Sequence, residues 1–70
     1  MPLQVAPTNP PLTVAKIFAD DKVKSHLENL GITLGSQLTL LSSENKGVVV
    51  LVKGVRLAID GNTAGKIFVK

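Results

Sequence analysis

Short runs of apolar and β-branched residues, separated by turn signals, make up most of the chain after residue 11. These runs predict five strands, at residues 12–18, 37–41, 48–52, 55–60 and 67–69. Branched side chains favour a pleated surface. Many turns and few residues per strand favour a small closed barrel over an open sheet, because closure removes exposed strand edges. The predicted fold class is therefore all-β, a small barrel of about five short strands.

One segment has the period of a helix instead. Within residues 19–32, Val23, Leu27 and Leu30 are spaced four and three residues apart. This spacing places the three side chains on one face of a helix. The pattern therefore predicts a single short α-helix, inserted between the first and second strands.

Both ends of this helix carry capping signals. Asp20 or Asp21 can cap its start, and both carboxylates suit the positive end of the helix dipole. Gly31 follows the last apolar residue, at the position where a left-handed backbone is favoured after a helix. Ile32 then falls where it packs back on Leu27. These signals bound the helix on both sides.

A two-residue hairpin turn is predicted at Lys53-Gly54, because glycine accepts a positive φ. Such a turn fixes the register of the two strands, and opposed residues share a face. A bulge near the turn would reverse the two faces. Without one, a wholly apolar face results from three pairs: Val52–Val55, Val50–Leu57 and Val48–Ile59.

The opposite face of this hairpin is a candidate contact surface. It has Val49 opposite Ala58 and Leu51 opposite Arg56. Exposed apolar side chains beside an arginine are typical of a contact site. The alternative interpretation is that the N-terminal arm or a bend of the barrel covers Val49 and Leu51.

Residues 1–11 contain all four prolines of the chain. Proline fixes φ and lacks a backbone N–H, so this segment predicts an extended arm and not a central strand or helix. Leu3 and Val5 are the candidate anchors of the arm across the core. The alternation of the first strand leaves its buried face undecided.

Polar segments predict the remaining connections. A turn at Gly35-Ser36 leads into the second strand, and residues 42–47 predict a polar loop before the third. Residues 62–65 predict a single helical turn before the last strand, with Asn62 or Asp60 as its cap.

With 70 residues, the chain is predicted to form a single domain, residues 1–70. The longest apolar run, residues 48–52, is far below the roughly 18–20 residues of a membrane span, so direct membrane insertion is not expected. No secretory signal is visible. The chain has no cysteine, which removes disulfides and thiolate ligands, and the cytoplasm is the default compartment.

The net charge is +3, from eight cations and five carboxylates spread along the chain. This charge indicates either an ordinary solvated surface or an anionic partner, which is a nucleic acid or an acidic protein face. Binders of single-stranded nucleic acid use aromatic platforms. Phe18 and Phe68 are the only aromatic residues, and both lie in apolar strand patterns. We therefore do not expect nucleic acid to be the partner.

The sequence offers little material for catalysis. His26 is the only histidine, and it lies within the predicted helix without a partner at a recognisable spacing. No phosphate-binding glycine loop is present. No two histidine or acidic residues have the sequence spacing that is typical of the ligands of a dedicated metal site. We expect no enzyme activity, no cofactor and no intramolecular metal site, and any divalent metal binding is expected to be weak or between two molecules.

Four short motifs follow one another along the chain. A helix ending in Leu-x-x-Leu-Gly is followed by a glycine turn, a strand of the form Gly-x-x-Leu-Ala-Leu and a final Ala-x-x-Ile-x-Val. They correspond here to residues 27–31, Gly35, residues 54–59 and residues 64–69. Together they resemble the FeoA family, small cytoplasmic components of bacterial ferrous iron transport. The resemblance implies an SH3-like β-barrel with a helix inserted after the first strand.

The resemblance also implies a function. FeoA proteins are described as non-enzymatic accessory and regulatory proteins of ferrous iron uptake, which bind the cytoplasmic G-protein region of the membrane transporter FeoB. Two alternatives remain, a metal-ion-binding regulatory SH3-like domain and a basic, nucleic-acid-binding small barrel.

Two groups of residues are the site candidates. The candidate partner-binding residues are Leu27, Leu30, Val49, Leu51 and Arg56. For the first two, plain core packing is an equally good interpretation. Val49 and Leu51 equally fit the seam of a weak homo-oligomer. The second group are glycines that the backbone needs: Gly31, Gly35 and Gly54.

Overall fold

Five antiparallel strands, two helices and a 3₁₀ turn make up the structure, a computed structural model that describes residues 1–70. The strands form one sheet in the order β4-β3-β2-β1-β5. Neither helix has the length and apolar character needed to cross a membrane. In chain order, the elements are the 3₁₀ turn Leu3–Val5, β1 Pro11–Ile17, α1 Asp21–Asn29, β2 Gln37–Glu44, β3 Gly47–Val52, β4 Val55–Asp60, α2 Gly61–Ala64 and β5 Ile67–Val69.

The sheet surrounds one core of 15 buried residues, all of them apolar. Each strand contributes to it, as do Leu27 from α1, Ala64 from α2 and Leu3 from the 3₁₀ turn, and Ala6 and Ile32 from the connecting segments complete it. No buried side-chain nitrogen or oxygen lacks a hydrogen bond. The core is therefore held together by apolar burial alone, without a buried polar network.

Two bulges bend the sheet around this core. The register shifts in β1 between Val14 and Lys16, and in β2 between Leu40 and Ser42. An extra residue in one strand bends that strand and increases its twist. The alternation of β1 left its buried face undecided, and the bulge explains why. Val14, before the bulge, is buried, whereas Lys16, after it, is exposed.

Helix α1 confirms the predicted capping. The Asp20 carboxylate accepts a hydrogen bond from the Val23 N–H at 2.9 Å. At the other end Gly31 has φ +93°, its N–H donates to Glu28 O and the Ile32 N–H donates to Leu27 O, both at 2.9 Å. These two bonds form a Schellman motif. Its hydrophobic partners, Leu27 and Ile32, are buried in the same core.

The β3–β4 hairpin also has the predicted register, with all three apolar pairs opposed as expected. Lys53 and Gly54 have φ values of +51° and +80°, which is the pattern of a type I′ turn. The apolar face, however, is not uniformly buried. Val55 at the hairpin end is 56% exposed and Leu57 is half-buried, because the core does not extend to the tip of β4.

The N-terminal arm is only partly extended. It contains a 3₁₀ turn, and Pro11 already belongs to β1. Leu3 is an anchor, since it is completely buried, whereas the prediction for Val5 is wrong, since this side chain is 70% exposed. The first two residues pair with the outer edge of β5, where the Val69 N–H donates to Met1 O at 2.8 Å.

The predicted polar loop at residues 42–47 is mostly strand. β2 continues through Glu44 and pairs with β3 as far as Gly47, so the turn contains only Asn45 and Lys46. The polar side chains of this extension are exposed, and backbone pairing with β3 outweighs their weak strand propensity. At the other predicted turn, Asp60 caps α2, and Asn62 lies within the helix.

The barrel is not closed by a ladder between β4 and β5. These two strands are the edges of the sheet, and α2 connects them. The 3₁₀ turn contacts α2, β2 and β5, so the buried side chains of Leu3 and Ala64 fill the gap between the edges. The arm covers the edge of β5, and no strand pairs with the outer edge of β4.

The Schellman glycine gives a test of the fold. An alanine at Gly31 or Gly54 costs roughly 1–2 kcal/mol for its left-handed backbone. The added Cβ at Gly31 also lies 3.3 Å from Val52 Cγ1, while nothing lies within 4 Å of one at Gly54. We therefore expect Gly31→Ala to lower the free energy of unfolding more than Gly54→Ala does, as measured by urea denaturation. Equal losses would contradict the packing part of this argument.

Candidate functional site

A groove of about 260 Å³ lies between α1 and the outer edge of β4. Its floor is apolar and its rim carries charged and polar groups. The rim consists of Lys22, His26, Asp60 and Thr63, and the floor consists of Val23, Leu27, Leu30, Ala58 and Ile59. The groove therefore lies where the helix stripe meets the one unpaired edge of the sheet.

The two predicted helix leucines have different environments in this groove. Leu27 is 1% exposed and belongs to the core. Leu30 is half-buried at the end of α1, where its backbone is still helical. Of the two, Leu30 is the one that offers side-chain surface to a partner. A contact role for either leucine stays a prediction.

The other predicted contact residues lie on a different face. Val49 and Leu51 are half-buried and Arg56 is exposed on the outer side of the β3–β4 hairpin. The hydrogen bonds of the arm run to β2, α2 and β5, for example from Asn9 N–H to Leu40 O at 3.0 Å. The structure thus divides the five candidates between a groove and an outer face.

A second depression, of about 420 Å³, was not predicted. Its lining includes Phe18 and Leu34, which are 57% and 67% exposed. The Phe18 ring contacts Phe68 edge-to-face at 5.2 Å, and the Lys16 ammonium lies 5.4 Å from the Phe18 ring centroid. The assignment of Phe18 to the first strand is wrong by one residue, because β1 ends at Ile17. Its position directly before the helix-capping segment was the available signal.

The structure brings no three His, Cys, Asp or Glu side chains together as metal ligands. His26 is exposed on the rim of the groove, and Asp60 lies on the same rim. The expectation that any divalent metal binding is weak or between molecules stays a prediction, as does the expected lack of enzyme activity.

Asp60 is held on this rim by Thr63. The Thr63 hydroxyl donates to Asp60 Oδ1 at 2.7 Å, and the Thr63 N–H donates to Oδ2 at 3.1 Å. The hydroxyl bond first, and the backbone bond second, lower the pKa of Asp60 below its ordinary value. The carboxylate is therefore charged and already has two hydrogen-bond donors at the end of β4.

The whole chain, residues 1–70, matches the profile of the FeoA domain family. The chain belongs to the FeoA family. A relative from Methanocaldococcus jannaschii, described as an Fe(2+) transport protein A, is 33% identical over 69 residues, which cover 99% of this chain and 84% of the relative.

Solved FeoA structures agree with this assignment. A crystal structure of an iron uptake regulatory protein (FeoA) superposes with a TM-score of 0.89 at 28% identity, covering 100% of this chain and 95% of the other. The solution structure of FeoA from Chlorobium tepidum gives 0.83 at 25% identity, covering 99% and 68%. These likenesses confirm the predicted SH3-like small barrel with its inserted helix.

The hydrogen bond between Thr63 and Asp60 predicts that a substitution of Thr63 changes the pKa of Asp60. Thr63→Val removes the hydroxyl and keeps the backbone donor, so the pKa of Asp60 should rise toward its ordinary value in an NMR pH titration. A lowered folded-state pKa stabilises the fold above the unfolded-state pKa, and this stability is lost as the pH falls through the folded-state pKa. The stability difference between variant and wild type should therefore shrink in acid. Thr8→Val, in the arm, is the control and should leave the titration unchanged.

Substitutions of the two helix leucines should lower the stability of the fold by different amounts. Leu27→Ala removes a fully buried side chain and should cost about 2–5 kcal/mol. Leu30→Gln should cost about 1 kcal/mol or less, because a half-buried amide keeps access to water and avoids the roughly 1–3 kcal/mol of a buried one. Thermal and urea unfolding measure both. Unfolding of Leu30→Gln at room temperature would show that Leu30 is a core residue.

Proposed function

We propose that this FeoA-family protein is a non-enzymatic accessory and regulatory protein of ferrous iron uptake, and that it binds the cytoplasmic G-protein region of the membrane transporter FeoB. The observation that carries the proposal is the family match over residues 1–70, together with the likeness to the Fe(2+) transport protein A of M. jannaschii over nearly the whole chain. The assignment to iron uptake rests on these likenesses.

The surface of the domain supports a binding role. Of the 70 residues of the domain, 15 are buried. Several large apolar side chains are nevertheless exposed: Met1, Val5, Phe18, Leu34 and Val55. Clustered exposed apolar side chains, such as those at the depression lined by Phe18 and Leu34, are typical of interaction sites. The net charge of +3 favours an acidic partner face, which raises the rate of association.

Regulation of a GTP-binding partner needs a difference in affinity. A protein that binds two nucleotide states equally shifts neither of them, whereas one that binds a single state more tightly shifts the partner toward that state. A non-enzymatic domain can therefore regulate through contact alone. The decisive quantity is the ratio of its affinities for the GDP-bound and the GTP-bound forms.

Calorimetry tests this proposal. The full chain is titrated into the soluble cytoplasmic region of FeoB from the same organism, loaded with GDP or with a non-hydrolysable GTP analogue. We expect binding in at least one state, with affinities that differ about fivefold or more, the low end of coupling energies between sites. Salt should weaken the binding, because part of the attraction is electrostatic.

Single-stranded DNA serves as the control polyanion. It should bind far more weakly than the transporter region at the same salt concentration. At a protein concentration of about 100 μM, calorimetry detects dissociation constants well above 1 μM. The absence of binding to both nucleotide states at this concentration would overturn the proposed function. Normal ferrous iron uptake after deletion of the gene would count against the assignment to this process.

A further inference from the structure

We infer that the outer edge of β4 and the groove beside it bind one extended, acidic segment of the partner, which adds to the sheet as a sixth strand. The identity of the partner rests on the proposed function. The binding mode follows from the backbone of β4, the groove and the charges along the edge.

The backbone of β4 has unpaired hydrogen-bonding groups on its outer side. The Gly61 N–H donates to Lys46 O at 2.9 Å, which continues the β3–β4 register by one hydrogen-bonded pair. Since such pairs alternate along an antiparallel ladder, the N–H and C=O groups of Arg56 and Ala58 point away from β3. No strand pairs with β4 on that side.

Of the two edge strands, only β4 has a free outer side. The outer side of β5 is covered by the arm, through the Met1–Val69 hydrogen bonds and the bridge between Pro2 and Phe68. An uncovered edge is a template for pairing with another chain, and domains that do not use such an edge protect it. β4 is thus the one place where a strand can be added without displacing part of the domain.

The groove provides space and apolar contacts for the side chains of an added strand. Ala58, Ile59 and Asp60 line the groove on the β4 side, and residues of α1 line it on the other side. Farther along the same edge, Leu57 is half-buried and Val55 is 56% exposed, although both lie on the apolar face of the hairpin. Every second side chain of an added strand would cover Val55 and Leu57. These side chains of the added strand should therefore be apolar.

The alternate side chains of the added strand meet a cationic surface. Arg56 is exposed on the outer face of β4 and Lys53 lies in the adjoining turn, while Lys22 lies across the groove on α1. Asp60 is the acidic group at this edge, and its carboxylate already accepts two hydrogen bonds from Thr63. A carboxylate on the partner opposite Arg56 therefore finds an unpaired cation, which favours an acidic segment.

A second copy of this chain fits this edge poorly. Pairing of two β4 edges about a twofold axis would bring each copy's α1 to the same side of the joined sheet, because α1 forms one wall of the groove on its own β4. Both copies also carry a net charge of +3. A single extended segment avoids the helix contact and the repulsion.

The experiment uses a proline at a position where it removes an outward N–H of β4 and keeps the hydrogen bonds between β3 and β4. Ala58→Pro removes an outward N–H, and edge strands tolerate proline where the N–H faces solvent. Ala58→Val is the matched control, because it keeps the N–H and favours a strand. Two probes are used: the soluble FeoB region, and an end-blocked seven-residue peptide of alternating glutamate and valine at millimolar concentration.

With wild type, either probe should slow hydrogen exchange of the Arg56 and Ala58 amides and shift their NMR signals. Ala58→Pro should weaken binding of both probes at least tenfold with an unchanged fold by NMR, and Ala58→Val, which keeps the N–H, should bind both probes more tightly than Ala58→Pro does. Arg56→Glu should weaken binding of both probes, and a lysine–valine peptide should not bind.

The outcomes separate the inference from the proposed function. If the FeoB region binds and the exchange of the Arg56 and Ala58 amides is unchanged, the inference is wrong and the proposed function stands. If the FeoB region does not bind wild type, the proposed function fails, and the glutamate–valine peptide decides the inference by its effect on the same two amides. A dimer of the chain that Ala58→Pro dissociates, seen by light scattering, would also overturn the inference, since a second copy would then occupy the edge.

Discussion

The alternation of β3 is the constraint on which the remaining structure depends. Val48, Val50 and Val52 are 2%, 0% and 3% exposed, and β3 pairs with β2 on one side and β4 on the other. A slip of one residue would exchange this buried row for Val49 and Leu51. The core has no buried polar group that could specify the register. The two-residue turn at Lys53-Gly54 specifies it, since only one pairing closes a type I′ hairpin.

Features set by neighbours in sequence could be predicted in detail. The cap at Asp20, the Schellman ending at Gly31 and the pairing of β3 with β4 all depend on residues close in sequence, none farther apart than Gly47 and Asp60. Capping and turn formation are local competitions for backbone hydrogen bonds, so the identities of a few residues decide them. The all-β class followed from the same local patterns.

Features set by distant contacts could not be predicted. Ser42 and Ser43 belong to β2 because β3 pairs with them, and polar composition alone indicated a loop. A side chain at Gly47 would meet the Ile59 carbonyl oxygen, a close approach that appears only once β3 and β4 are paired. Val5 is exposed and Leu3 is buried because both lie in the 3₁₀ turn Leu3–Val5, where residues two apart point in different directions. For the candidate site, the sequence indicated the leucines, a shallow apolar groove at the helix end and the arginine, and it did not indicate that β4 forms the other side of this groove.

The free edge of β4 relates the two groups of predicted contact residues to each other. Leu30 lines the groove on the helix side of the edge, and Arg56 is exposed on the outer face of the hairpin. A strand has two faces with side chains that alternate between them, so a strand paired with β4 would point one set of side chains toward Leu30 and the other toward Arg56. The placement of these candidates along the free edge of β4 is therefore the arrangement that an added strand requires.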